Sequence, residues 1–292
     1  MNLPDPAVDV SGAVEIASDV LVIPNNDVAL VPNIGVVAGS EAVLVVDTGL
    51  GVANASRVLE FASEVARGRR LYLTTTHFHP EHAFGASVFA GSYVVNRAQA
   101  EDLRRKGSGY LEMFRGFGGA IADRLAGAEV PVPDVVFDGV HSLDLGGRTV
   151  LLRPTGRGHT LGDQVIEVPD AGVLFTGDLA ETGQFAIFPW FPPHDTDVSG
   201  VSWIEVMDRL IEAGPRVVVP GHGTTGGREV LEGVRDYLRE LRDETWRRRD
   251  SADVVAEVRA VLVERHPEWA GREWIDLGVG CLCAELYSFS VD

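Results

Sequence analysis

The stretch Leu71–Gly85, LYLTTTHFHPEHAFG, constrains this chain more than any other. Its first six residues, Leu71 to Thr76, are β-branched, aromatic or leucine and predict a buried strand. The strand runs into His77-Phe78-His79-Pro80-Glu81-His82, three imidazoles and a carboxylate within six residues. Side chains two apart on an extended backbone point the same way, so His77 and His79 can hold one cation. Pro80 keeps His79 extended and suits the first turn of a helix. That helix start turns Glu81 and His82 back toward the strand end, where a second cation fits. Imidazole and carboxylate donors together suit zinc, and iron and manganese accept the same set. A polar turn that merely happens to be rich in histidine is the competing reading, so the rest of the chain has to decide.

Four further turns favour the metal. Asp47-Thr48-Gly49 closes the strand pair Ile34–Asp47, which turns at Gly39-Ser40-Glu41. A lone Asp-Thr-Gly does not supply the two carboxylates that aspartic proteolysis needs; Asp47 reads as a buried acceptor bracing neighbouring loops. Gly158-His159-Thr160 follows the strand Arg148–Arg153. Gly177-Asp178 ends the hairpin Gln164–Val168 and Val173–Thr176, and Pro220-Gly221-His222-Gly223 ends the strand Arg216–Val219. Strand ends are rigid yet reach a common cavity, as a ligand set requires. One histidine so placed is ordinary; five, with two carboxylates, make coincidence the strained reading. His141, His194 and His266 lack this setting and read as structural or exposed, with His194 near the mouth of the site.

Together these motifs resemble the metallo-β-lactamase superfamily in order and spacing, from about Val14 to Gly223. The resemblance implies an α/β (α+β) fold, an αββα four-layer sandwich, here with extra C-terminal helices. It divides the chain into residues 1–227 and a helical extension, 228–292, packed on the same domain. It implies two zinc ions at one sheet edge. His77, His79 and His159 are similar to the first site, Glu81, His82 and His222 to the second, and Asp178 to the bridging carboxylate. The family usually has Asp where this chain has Glu81. The extra methylene moves the carboxylate by about 1.5 Å, against a ligand tolerance of about 0.2 Å, so the second ion is expected to bind more weakly.

The implied chemistry is hydrolysis of an ester, lactone or thioester by a water activated between the ions, with Glu81 and Asp178 catalytic. Phe185, Phe188, Trp190 and Phe191, in a Pro-stiffened loop after Asp178, are expected to form an apolar wall for the substrate, joined by Tyr110 and Phe114. The Gly-rich run Gly107–Gly119 is expected to cover the site. The superfamily also contains mononuclear iron dioxygenases acting on sulfur compounds, and β-lactamases, which stand as alternatives.

Composition narrows the partners. The 292 residues carry 25 basic and 43 acidic side chains, a net charge of −18. That disfavours nucleic acid and anionic membranes and leaves a small molecule as the expected partner, with a homodimer compatible. The first residues, MNLPDPAVDVSG, show no basic-then-apolar leader, and no apolar run reaches spanning length; a cytoplasmic protein is expected. Cys281 and Cys283 sit too close for an ordinary bridge and read as core cysteines of a C-terminal helix.

Overall fold

A computed structural model describes residues 4–89 and 92–289; Met1–Leu3, part of the stretch read for a leader, fall outside them. In chain order the elements are β1 (Val14–Ala17), β2 (Val20–Ile23), β3 (Ile34–Ala38), β4 (Ala42–Val46), α1 (Gly51–Ala66), β5 (Arg70–Thr74) and α2 (Pro80–Ala83). Next come β6 (Val94–Asn96), α3 (Arg97–Gly116), α4 (Gly119–Arg124), β7 (Val135–Phe137), β8 (His141–Asp144), β9 (Thr149–Pro154), β10 (Gln164–Val168) and β11 (Val173–Glu181). The chain ends with α5 (Gly200–Ala213), β12 (Val217–His222), α6 (Arg228–Arg247), α7 (Val254–Arg265) and α8 (Glu273–Phe289).

Two five-stranded sheets, β1-β2-β3-β4-β5 and β12-β11-β10-β9-β8, stack face to face between helical layers. The side-chain period of two explains the layering. In β4, Leu44 and Val46 face the other sheet with Val173 and Phe175 of β11, while Val43 and Val45 face outward. Leu174 of β11 and Val218 of β12 point the other way, into a core shared with α5 to α8. Both faces of the central strands are thus buried, which is why these segments read as nearly unbroken apolar runs. Residues from α6, α7 and α8, among them Leu241, Val258 and Leu282, join Trp203 and Leu179 in that core. Among the described residues no helix is long and apolar enough to cross a membrane.

Several local expectations are corrected. Val14–Pro24, which reads in sequence as one strand, is a hairpin, since Asp19 adopts a left-handed turn conformation (φ 56°) between β1 and β2. Val135–Asp144, which reads in sequence as a strand pair, does not pair with itself. Gly139 (φ 67°) breaks it, β7 pairs in parallel with β6, and β8 joins β9. The Gly-rich run Gly107–Gly119 is not an irregular segment: α3 runs through Gly107 and Gly109 to Gly116, burying Tyr110, Leu111 and Phe114. Glycine costs a helix up to about 1 kcal/mol per residue, but three buried apolar side chains return more than that, at about 1.5–3 kcal/mol each. Gly107 also lies where a side chain would collide with Val130, 2.5 Å from an added Cβ.

Candidate metal centre

The metal candidates come from β-strand ends. His77 and His79 follow β5, with His79 extended (φ −61°, ψ 151°) before Pro80, which opens α2 and places Glu81 and His82 in its single turn. β11 continues past the expected end at Thr176, through Asp178 to Glu181, buried throughout. His222 closes β12 beside it. Two glycines make this crossing of strands feasible. A Cβ on Gly221 would lie 1.9 Å from Asp178 Oδ1, and one on Gly177 (φ 54°) would lie 2.4 Å from Thr76. Any side chain at position 221 would therefore displace the carboxylate.

The donors fall into two groups, His77, His79, His159 and Asp178, then Glu81, His82, Asp178 and His222, with ligand atoms within 4.8 Å of one another in each. Asp178 splits between them. Its Oδ2 lies 3.8 Å from both His77 Nε2 and His159 Nε2, and its Oδ1 lies 3.3 Å from His82 Nε2 and 3.5 Å from His222 Nε2. His159 Nε2 and His79 Nδ1 are 3.2 Å apart. Donors about 2.1 Å from one ion at tetrahedral angles sit about 3.4 Å from each other, so these spacings match a shared cation. The Nε2 atoms of His77, His82 and His222, both Asp178 oxygens and Glu81 Oε2 are buried without a hydrogen-bond partner. Left so, at about 1–3 kcal/mol each, they would cost on the order of 10 kcal/mol, comparable with the whole stability of a domain. A cation in each group removes that penalty, and the donor set fits one. The longer Glu81 still brings a carboxylate oxygen into its group.

The far sides of the rings are held. His82 Nδ1 donates to Asp47 Oδ2 at 2.9 Å, while Asp47 Oδ1 accepts from the Thr76 backbone N–H at 2.7 Å. Thr48 also grips the His82 carbonyl through its N–H and hydroxyl. Asp47 is thus a buried brace, and what it braces is a metal candidate; its left-handed backbone (φ 68°) is the kind of strain found at functional sites. His159 Nδ1 donates to the Ile187 carbonyl at 2.9 Å, and its ring meets the edge of Trp203 at 5.6 Å. Asp163 accepts from the N–H and hydroxyl of Thr160, fixing the turn that carries His159.

Electrostatics separates the groups. Burial lowers the pKa of His77 and His79 well below the ordinary imidazole value, helped by neighbouring imidazoles, and takes His159 down to about 4 despite the opposing pull of Asp178. Burial lowers His222 as well. His82 goes the other way: burial opposes its charge, but Asp178 and Asp47 on either side outweigh it and hold its pKa well above the usual value. Burial pushes Glu81 up to about 7. Asp178 resists burial because His82, His222 and His77 surround it, and its pKa lies well below the carboxylate range.

The most accessible donors are His222 at 6 % and Glu81 and His79 at 5 % exposure, against 0 % for His82 and His159. All seven donor residues are therefore buried. The expected aromatic wall is largely elsewhere. Phe185 and Phe188 are fully buried in the helical core, Phe185 against Tyr237 and Trp269 and Phe188 against Trp203. Trp190 packs on that core, and Phe191 is half-buried in a bridge to Asp195. Phe114 lies in the opposite core. Tyr110 does meet the centre: its ring stacks on His79 at 4.9 Å, and its hydroxyl donates to Asp195 at 2.7 Å. His194 is exposed, His141 stacks on Phe137, and His266 stacks on Trp269. Cys281 is buried and Cys283 half-buried, both on α8. Sequence reading missed Asp163 and Glu181, of which only the acid within the apolar run LFTGDLAE gave a signal.

Two stacked sheets flanked by helices, with seven buried imidazole and carboxylate donors at one edge sharing Asp178, define a protein built for a pair of metal ions. The chain belongs to the metallo-beta-lactamase superfamily, whose family model matches residues 28–222. It is 31% identical over 221 residues to the acyl-coenzyme A thioesterase MBLAC2 of Homo sapiens, covering 68% of this chain and 75% of the relative. It is 23% identical over 220 residues to a metallo-beta-lactamase type 2 of Bacteroides fragilis, covering 74% and 79%. Among solved structures, a metallo-beta-lactamase from Pontibacter korlensis superposes with a TM-score of 0.60 at 21% identity, over 78% of this chain and 98% of that one. The fold is accordingly of the metallo-β-lactamase type, with additional C-terminal helices. The chain is an enzyme of a metallo-hydrolase superfamily.

Proposed function

We propose that this enzyme is a dinuclear zinc hydrolase that cleaves thioesters. The observation that carries the reading is Asp178, with one oxygen turned to each group of histidines. The similarity to an acyl-coenzyme A thioesterase supports the choice of bond. The residues suited to hold the ions are His77, His79 and His159 on one side and Glu81, His82 and His222 on the other, with Asp178 between. Bound there, zinc supplies Lewis acidity and makes a water molecule nucleophilic at neutral pH.

The chain's own residues do the rest. Asp178 sets the separation of the two groups, and Asp47 and Ile187 lock the rings of His82 and His159. Glu81, ionised once it holds an ion, is placed to take the proton released by the attacking water and pass it to the departing sulfur. The balance is that of hydrolysis: a C–O bond forms from water, the C–S bond breaks, and acid and thiol leave. The test is elemental analysis of the purified protein, followed by thioester, lactone and β-lactam substrates. Two zincs per chain with thioester turnover is the expected result. One iron per chain with oxygen uptake overturns it in favour of sulfur oxygenation.

A further inference from the structure

We propose that Glu181 is a positioning residue for the first metal group, acting on His159 through Ile187, with the C-terminal helices holding the connecting loop in place. The proposal rests on the metal reading above and adds a residue that no motif supplies. Glu181 ends β11, three positions beyond Asp178, and is 4 % exposed. Its Oε2 accepts the backbone N–H of Ile187 at 3.0 Å. The carbonyl of the same residue accepts His159 Nδ1–H at 2.9 Å. Ile187 is thus gripped at both of its backbone polar groups, by the carboxylate on one side and the imidazole on the other. Once Nδ1 donates its proton in this way, the lone pair of His159 is left on Nε2, the atom facing His79 and Asp178. Fixing the ring tautomer and direction from behind is how metal-ligating histidines are tuned.

The loop between has little freedom to compensate. Thr182 N–H donates to the His222 carbonyl, and Phe185 N–H donates to Ala270. Phe185 and Phe188, on either side of Ile187, are fully buried. The partners of Phe185 are Tyr237 of α6 and Trp269, at 5.6 and 5.4 Å between ring centres. On α8, a Cβ at Gly278 would sit 3.1 Å from Phe188, and one at Gly280 would sit 3.3 Å from Trp190. The helices that follow residue 222, where the family match ends, therefore pack directly on the segment that aims a metal candidate. A buried carboxylate is costly where an apolar side chain would pack as well. Glu181 offsets part of that cost with the Ile187 N–H, and the residue it holds is the one that orients His159.

The experiment compares wild-type protein with Glu181→Gln and Glu181→Leu, all stripped of metal. Zinc is titrated against a chromophoric chelator, and cobalt(II) absorption is recorded in parallel. Glutamine keeps an oxygen for the Ile187 N–H, so it is expected to stay within about threefold of wild type. Leucine removes the acceptor and is expected to weaken the tighter equivalent about 10–100-fold and to alter its cobalt bands. A folded leucine variant with wild-type affinity and cobalt spectrum overturns the proposal, as does a glutamine variant that falls as far as leucine. Should the leucine variant not fold, imidazole 15N spectra of metal-free wild type and Glu181→Gln decide. Nδ1-protonated His159 in both supports the proposal, and a mixture of tautomers in either overturns it. Wild-type protein that binds no metal at all removes the underlying metal reading instead, a result distinct from each of these.

Discussion

The two halves of the metal centre are built from similar parts and prepared in opposite ways. In the first group burial has stripped the charge from His77, His79 and His159, so three neutral imidazoles already point lone pairs inward. In the second, His82 is held in its protonated form by Asp47 and Asp178, and Glu81 keeps a proton up to about pH 7. An ion entering the first group displaces no proton near neutrality, whereas one entering the second expels them. The lesson is that ligand identity alone does not set occupancy; what each donor holds before the ion arrives matters as much.

The largest effect expected tests what the halves share. Asp178→Ala should lower the affinity of both equivalents in a zinc titration and cut turnover by about 10³-fold, as loss of several kcal/mol of transition-state stabilisation requires. Retention of one tight equivalent would show that the halves are independent. Next, Asp47→Ala leaves His82 without its carboxylate brace and should weaken only the weaker equivalent, about 10–100-fold by the same titration; a matching fall in the tighter one would erase the contrast. Lowering pH sharpens it further. Glu81 has a raised pKa and must be ionised to ligate, so its contribution is complete above about pH 7 and is lost as pH falls through that value. The weaker equivalent should lose about tenfold per unit per proton expelled, with His82 acting in the same direction, while the tighter stays flat from about pH 6 to 8. Calorimetric titrations in buffers of different ionisation enthalpy count those protons. The smallest change is expected from Tyr110→Phe, which keeps the ring on His79 and removes only the hydroxyl bonded to Asp195. It should alter either affinity by less than about threefold, for a single hydrogen bond worth about 0.5–1.5 kcal/mol.

Much of this centre is legible in the chain because ligands at strand ends leave a local mark: a buried run, then a glycine or proline, then a histidine or aspartate. His159, Asp178 and His222 all carry it, while His77 and Asp47 close their buried runs directly, with Pro80 and Gly49 marking the turn just after. What supports them is less visible, since it depends on partners far away in sequence. Glu181 acts through Ile187 on a histidine 22 positions upstream, and its place in an apolar run singles it out without pointing to that partner. The aromatic residues after Asp178 are hydrophobic enough for either a pocket wall or a core, and only the arrival of α6 and α8 decides for the core in Phe185 and Phe188. The glycines of α3 misled for a related reason, because local propensity argues for a loop where buried Tyr110, Leu111 and Phe114 enforce a helix. Sheet membership of β7 and β8 is likewise set by distant strands.

The bare backbone at Gly221, pressed against the shared aspartate, gives a way to judge other chains of this build. A sequence that keeps every histidine but substitutes that glycine has given up the space the bridge stands in. Such a chain is better searched for a scaffolding or recognition role than for turnover, and the reading needs no more than one letter.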